Sequence, residues 1–317
     1  MAGNAHIPIA DEQALRRLAR ARLTQPVPQA LRTLAEEAAR RHGGVQGARA
    51  VLAYGSTLRD ATLTETLADL YVLTGDMRQV STNPLARLGC RLMPPNVLYL
   101  AHAVEGVSLR AKYAVLPLAQ FDRWVRPHVR NPYFWARFAQ PARLVWRADE
   151  AAEDAVIAAV ARAVATAMVR ASLLMEEEVV DWRAIWERLL SATYASELRV
   201  EKPGRARAII EADPGWYAET VRAVFGDAEH APVAALRQWA RRAGVPGWCC
   251  VPAQGKLFSV LRLMKAAFTF QGGADYIAFK IERHTGERIA LSDWQRRHPV
   301  LAGLFLLPRL WRKGIVK

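Results

Sequence analysis

Residues 49–76, RAVLAYGSTLRDATLTETLADLYVLTGD, constrain this chain more than any other stretch. Residues 50–54 make an apolar run of strand length, and Gly55-Ser56 breaks it. A mixed segment follows, suited to a short helix or a loop. A second apolar run over residues 67–74 then carries one acid, Asp69, in its interior. A charge inside a buried strand is costly unless something pairs with it. The partner is either a metal ion or, in an ordinary strand–turn–strand, a neighbouring donor.

Strand, Gly-Ser, short helix and a strand bearing a carboxylate together resemble the nucleotidyltransferase signature. Each part of that layout has its own chemistry. Gly55 lets the backbone approach a triphosphate closely. Ser56 and the first amides of a following helix donate to phosphate oxygens. A carboxylate at position 69 holds Mg2+, which bridges the phosphates and offsets their charge. The usual second acid, two residues on, is here Tyr71, and the next acid is Asp76.

Charge narrows the partners. The 317 residues carry a formal net charge of +14. Residues 236–317 hold 15 Lys and Arg against 4 Asp and Glu, a net of +11, so most of the excess sits in the last quarter. A basic tail implies an anionic partner, either nucleic acid or an acidic membrane surface. Cys90, Cys249 and Cys250 lack metal-ligand spacing and fit reduced thiols in a cytosolic setting. No signal peptide or spanning helix is expected. Residues 155–174 are interrupted by Arg162 and Arg170, and residues 300–308 fall far short of the ~20 that a span needs. A membrane role is therefore expected to be peripheral.

In chain order, residues 10–42 read as two helices split by Gln25-Pro26-Val27-Pro28. Residues 77–96, with Pro84, Pro94 and Pro95, read as irregular. Residues 97–103 and 108–118 read as paired strands around Glu105-Gly106, with Arg110 and Lys112 on one face of the second. Lys112 is either a triphosphate ligand or a solvent-facing lysine. Residues 121–138, rich in Trp, Phe and Arg, suit a core as well as a base-stacking surface. A long alanine-rich helix over residues 149–178 opens a mostly helical part. Later, Leu257, Leu261, Met264 and Phe268 recur as the apolar face of a helix, with Arg262 and Lys265 off it. The closing stretch sets Phe305, Leu306, Leu310 and Trp311 beside Arg309, Arg312 and Lys313. That is the composition of an interfacial membrane anchor, or of a helix docked on its own protein. The fold expected is α+β. A nucleotidyltransferase-fold domain (residues 1–148, a small mixed sheet flanked by helices) precedes a mostly helical domain (149–230) and a basic amphipathic region (231–317).

Five short motifs in order make the chain resemble the mitochondrial-type phosphatidate cytidylyltransferases, the peripheral CDP-diacylglycerol synthases of mitochondria and bacteria. Tyr54-Gly55-Ser56 matches that family's Y-G-S, and Leu67-Ala68-Asp69-Leu70 its L-D-[LF] strand. Asp76 falls where the family has an acid after that strand. Lys112-Tyr113 matches K-Y-[GA]-V, and Tyr133, Arg137 and Pro141 match Y-x-x-x-R-x-x-x-P. Tyr194, Ser196, Glu197 and Arg199 match S-Y-x-G-D-[FL]-R, with Ser for Gly and Glu for Asp. Thr57, Leu58 and Arg59 depart from the small and apolar residues usual after Y-G-S.

The resemblance implies the reaction CTP + phosphatidic acid → CDP-diacylglycerol + pyrophosphate, with Mg2+. It implies that Tyr54, Gly55 and Ser56 cradle the triphosphate and that Asp69 and Asp76 hold the metal. Lys112, catalytic together with Asp69, and Arg137 would balance phosphate charge. Tyr133, Tyr194, Glu197 and Arg199 would lie near the nucleotide. The protein would be cytoplasmic, held on the inner face of an anionic membrane. Two rivals keep the same Gly-Ser and Asp unit. One is an RNA-directed, template-independent nucleotidyltransferase that uses the basic tail on phosphate backbone. The other is a catalytically inactive binding module on the same fold.

Overall fold

The structure, a computed structural model, describes residues 6–58, 67–104, 107–197, 204–269, 292 and 294–295. Helices α1 (Glu12–Leu23) and α2 (Gln29–Arg40) come first, on either side of the proline-rich break. Asp11 caps α1 by accepting from the Ala14 N–H at 2.7 Å. One turn, α3 (Gly44–Gly47), leads into β1 (Ala48–Tyr54). A tight 3-10 turn, Gly55–Leu58, follows, and β2 (Ala68–Thr74) returns antiparallel to β1. Next come α4 (Pro84–Leu92), β3 (Asn96–Val104), β4 (Val107–Pro117), α5 (Leu118–Trp124), α6 (Trp135–Phe138) and β5 (Ala142–Arg147).

The sheet order is β3-β4-β2-β1-β5. β2 and β4 run parallel and the other neighbours antiparallel, giving a mixed sheet in an α+β fold, the class expected from the sequence. α2 covers one face of the sheet. On the other, Tyr71, Phe121, Phe134 and Phe138 meet edge to face, with ring centroids 4.7–6.2 Å apart.

Helices dominate the rest of the described residues: α7 (Glu150–Ser172), α8 (Trp182–Tyr194), α9 (Arg205–Glu211), α10 (Pro214–Phe225), α11 (Val233–Arg242) and α12 (Val251–Thr269). By length and composition α7 is apolar enough to cross a bilayer, but 83% of its apolar window is buried inside the protein. It packs against α1, α6, α8 and α11 and against the sheet, so it is a core helix. One continuous apolar core runs from Leu15 to Val245.

One local reading of the sequence changes. Residues 77–96 are not irregular throughout, because α4 lies within them. Pro84 occupies its first turn, and Asn83 caps it by accepting from the Leu85 N–H at 2.8 Å. A proline that breaks a helix interior is well placed at a helix start. α12 takes a seating that its periodicity left open: of its apolar face, Leu257 and Met264 are each 58% exposed, Leu261 is half-buried, and the Phe268 side chain lies outside what is described. Two polar side chains reach inward. Arg262 Nε donates to the Pro94 carbonyl at 3.3 Å, and Lys265 Nζ donates to the Met93 and Pro95 carbonyls at 2.5 and 2.6 Å. Close backbone contact permits this seating, since a Cβ on Gly255 would lie 2.5 Å from the Ser196 carbonyl oxygen. Hydrogen bonds to loop carbonyls tie this helix down.

Candidate active site

β2 and β4 lie side by side in a register that pairs Asp69 with Lys112. From β3, Tyr99 pairs with Lys112. On β1, Ala53 pairs with Leu70, and the same register carried one residue further sets Tyr54 beside Asp69. Cross-strand neighbours share a face. Tyr99, Lys112, Asp69 and Tyr54 therefore form a row across the sheet, at the end of β1 where the chain turns. Gly55 makes that turn with φ at +72°, a conformation glycine adopts without strain. Ser56 follows it within the same turn.

The turn is tied to β2. The Asp69 N–H donates to Thr57 Oγ1 at 2.8 Å, and Thr57 is buried. Thr57, a departure from the resembled family's pattern, thus holds the bend against the strand that carries the acid. Lys112 Nζ lies 3.6 Å from Asp69 Oδ1, with the two side chains 31% and 27% exposed. A half-open ion pair of this kind contributes at most about 1 kcal/mol. It satisfies the charge in the strand, yet leaves the carboxylate open to a competing cation.

Asp76 is elsewhere. Thr74, where β2 ends, is already roughly 16 Å along the strand from Asp69 at ~3.3 Å per residue, and Asp76 lies beyond it. Its Oδ1 accepts from the Arg78 N–H at 2.5 Å, and its own N–H donates to Gln79 Oε1 at 2.9 Å. It caps a turn at the far end of the strand, so the geometry does not unite it with Asp69 around one cation. Among the described residues, no three His, Cys, Asp or Glu side chains cluster as a metal-ligand set. Magnesium, however, commonly takes one or two protein carboxylates and completes its shell with phosphate oxygens and waters. Asp69, a hard oxygen donor half-open beside the bend, fits that smaller part.

Two residues along β2 and on the same face, Tyr71 stands where a second acid would be. It is buried, and its hydroxyl accepts from Arg137 Nη1 at 2.9 Å. The Arg137 guanidinium lies over the rings of Tyr54 and Tyr133, at 5.0 and 4.4 Å. Arg262 of α12 lies over Tyr133 at 3.8 Å. Burial alone would push the Tyr133 phenol up, but the charges of Arg137 and then Arg262 outweigh it and bring it down to about 8. Burial pushes Tyr71 well up. Against its own burial, Arg137 is held well above the ordinary value by Tyr71, Tyr54, Tyr133 and Glu197. Burial brings Lys265 down to about 8.

Most of the residues expected to line a site therefore converge. Tyr54, Gly55, Asp69 and Lys112 gather at the bend, and Tyr133 and Arg137 gather at Tyr71. Tyr194 closes α8, and Glu197 lies within electrostatic reach of both Arg137 and Arg262. Arg199 lies outside the described residues, as do Phe305, Leu306, Arg309, Leu310, Trp311, Arg312 and Lys313. Sequence reasoning missed Arg262, whose Nη2 is buried without a hydrogen-bond partner. A signal was present: α12 carries Lys256, Arg262 and Lys265 and no acid, unusual for a helix meant only to be solvated.

No protein-family model matches the chain, and no curated protein is significantly similar to it. Among solved structures it is similar to a nucleotidyltransferase-like protein from Exiguobacterium sibiricum. The identity is 14% over 90% of this chain and 91% of that one, with a TM-score of 0.26. A likeness at that level carries no argument about chemistry, which rests here on the site itself.

Proposed function

We propose that this chain is a nucleotidyltransferase that moves CMP from CTP to phosphatidic acid, giving CDP-diacylglycerol and pyrophosphate. The observation that carries the reading is the bond between Thr57 and the Asp69 backbone. It keeps a glycine bend, a half-open carboxylate and Lys112 together at one end of the sheet. The five ordered motifs supply the choice of nucleotide and acceptor.

In this reading the backbone at Gly55 and Ser56 approaches the triphosphate, and Lys112 turns from Asp69 to a phosphate oxygen. Asp69 would hold Mg2+, which when bound neutralises charge on the triphosphate. Arg137 and Arg262 face the acceptor. A phosphate monoester would supply the acceptor atom that Arg262 Nη2 lacks. The acceptor phosphate is already anionic, so it needs no strong general base. One of its oxygens bonds to the α-phosphorus of CTP while the α–β bridging P–O bond breaks, and pyrophosphate leaves with that electron pair. Positioning and charge neutralisation carry the rate. Peripheral attachment to an anionic membrane belongs to the same proposal, because each Lys or Arg near such a surface contributes about 1 kcal/mol.

The test is incubation with CTP labelled in the α-phosphate, phosphatidic acid and Mg2+, followed by extraction into organic solvent. A lipid-soluble nucleotide product supports the proposal. Label found on added RNA, with none in the organic phase, would replace it with the RNA-directed rival.

A further inference from the structure

α4 and α12 each turn an apolar stripe to solvent. At roughly 100° per residue, Leu257, Val260 and Met264 fall within about 60° of one another, and Gly255 and Arg262 lie on the opposite side. Leu85, Leu88 and Leu92 repeat that spacing on α4. These six side chains are 43–74% exposed, and they are six of the nine large apolar residues that stand exposed among those described. The two helices also touch. Lys265 Cδ sits where it would meet a Cβ on Gly89 at 3.2 Å, and Arg262 and Lys265 bond the loop that follows α4. Two exposed stripes on neighbouring helices exceed the scattered apolar residues normal for a surface.

The charges say what covers them. On this side α4 carries Arg87 and Arg91 and α12 carries Lys256, Arg262 and Lys265 being turned inward, and neither helix has an acid. A second copy of the chain would set these cations against themselves across a two-fold interface. The chain's own closing segment, with Arg309, Arg312 and Lys313, is equally basic. Leucine and methionine beside unopposed Arg and Lys instead match the interfacial zone of a negatively charged bilayer.

We infer that α4 and α12 together form the docking surface for an anionic phospholipid bilayer. The inference deepens the proposed function, since it rests on a lipid acceptor. α12 then separates membrane from site by about one helix diameter, 10–12 Å. It faces acyl chains with Leu257, Val260 and Met264 and offers Arg262 to the lipid phosphate from its inner side.

The test is flotation of the full chain with phosphatidylcholine vesicles, with and without phosphatidylglycerol. Wild type is expected to float with the anionic vesicles and much less with the neutral ones. Leu88→Glu combined with Met264→Glu should lower flotation about tenfold or more. Its elution volume should not change, and its turnover of detergent-dispersed phosphatidic acid should stay within about twofold. Leu88→Ser with Met264→Ser, a milder pair, should lower flotation in the same direction and guards against misfolding of the first. Flotation unchanged in both variants overturns the inference, as does wild type that never floats. A dimer in wild type that becomes a monomer in the variants would make the surface a self-association face and also overturns it. Flotation needs no CTP, so floating protein without transfer sinks only the reaction, and transfer without flotation sinks only the docking surface.

Discussion

Gly255→Ala tests whether α12 roofs the site. The added Cβ would lie 2.5 Å from the Ser196 carbonyl oxygen and 2.7 Å from the Ser196 Cβ, and neither atom is the free end of a flexible side chain. Alanine gains about 0.8–1 kcal/mol over glycine in helix propensity. Overpacking in a tight contact costs about 1–3 kcal/mol. The second effect exceeds the first over most of its range, leaving a net loss of roughly 0–2 kcal/mol. In a thermal melt each kcal/mol moves the midpoint by about 2–4 °C for a domain approaching this size. Gly215→Ala is the matched comparison. Gly215 lies in α10 with nothing within 4 Å of a Cβ, so it receives only the propensity gain and should raise the midpoint. As α12 backs away from Ser196, Arg262 should leave the Tyr133 ring, and the phenol should titrate above its value of about 8. The reasoning is refuted if Gly255→Ala stabilises as much as Gly215→Ala while Tyr133 titrates as in wild type.

Three further outcomes follow from the site. Absorbance at 295 nm should show a tyrosinate step near pH 8 that Tyr133→Phe removes. The folded pKa lies below the unfolded value of about 10, so this ionisation stabilises fully above pH 10 and the contribution is lost as pH falls through about 8. Denaturation midpoints of wild type relative to Tyr133→Phe should therefore rise from pH 8 to 10, and a flat difference would contradict the two-arginine clamp. Thr57→Val leaves the Asp69 N–H without its 2.8 Å acceptor, at a cost of about 1–3 kcal/mol, and should slow CMP transfer, while Thr57→Ser keeps both. Equal transfer by the valine variant would remove the tether from the mechanism. Asp76→Ala should lose about 1 kcal/mol of stability with the bond its carboxylate accepts from the Arg78 N–H, but leave the Mg2+ dependence of transfer unchanged, and a raised Mg2+ requirement would restore Asp76 to the metal site.

What the sequence made legible was local. The β1–bend–β2 unit needs only an apolar run, a glycine and a lone acid within one stretch, and the first two helices need only apolar periodicity on either side of a proline-rich break. The link between Asp69 and Lys112 was not legible, because it depends on the parallel register of β2 with β4, strands separated by α4 and β3. The resemblance implied Asp76 beside Asp69 at the metal, although a strand carries residues apart faster than any other regular element. Tyr71 read as a missing acid; in the fold it is the acceptor that positions Arg137. α12 shows a different limit. Periodicity identifies which side of a helix is apolar, but which side is buried depends on acceptors offered elsewhere, here the carbonyls of Met93, Pro94 and Pro95.

Asp69→Asn, neutral and nearly isosteric, tests most directly whether the acid beside the Gly55 bend carries the cation that transfer requires. The measurement is the initial rate of CMP transfer to dispersed phosphatidic acid at saturating CTP and Mg2+, with the thermal midpoint read on the same preparation. The expected result is a loss of about 1,000-fold or more, roughly 4 kcal/mol of barrier, with the midpoint shifted by no more than the ~1 kcal/mol that a half-open ion pair contributes. A folded Asp69→Asn protein that transfers CMP within tenfold of the wild-type rate would contradict it.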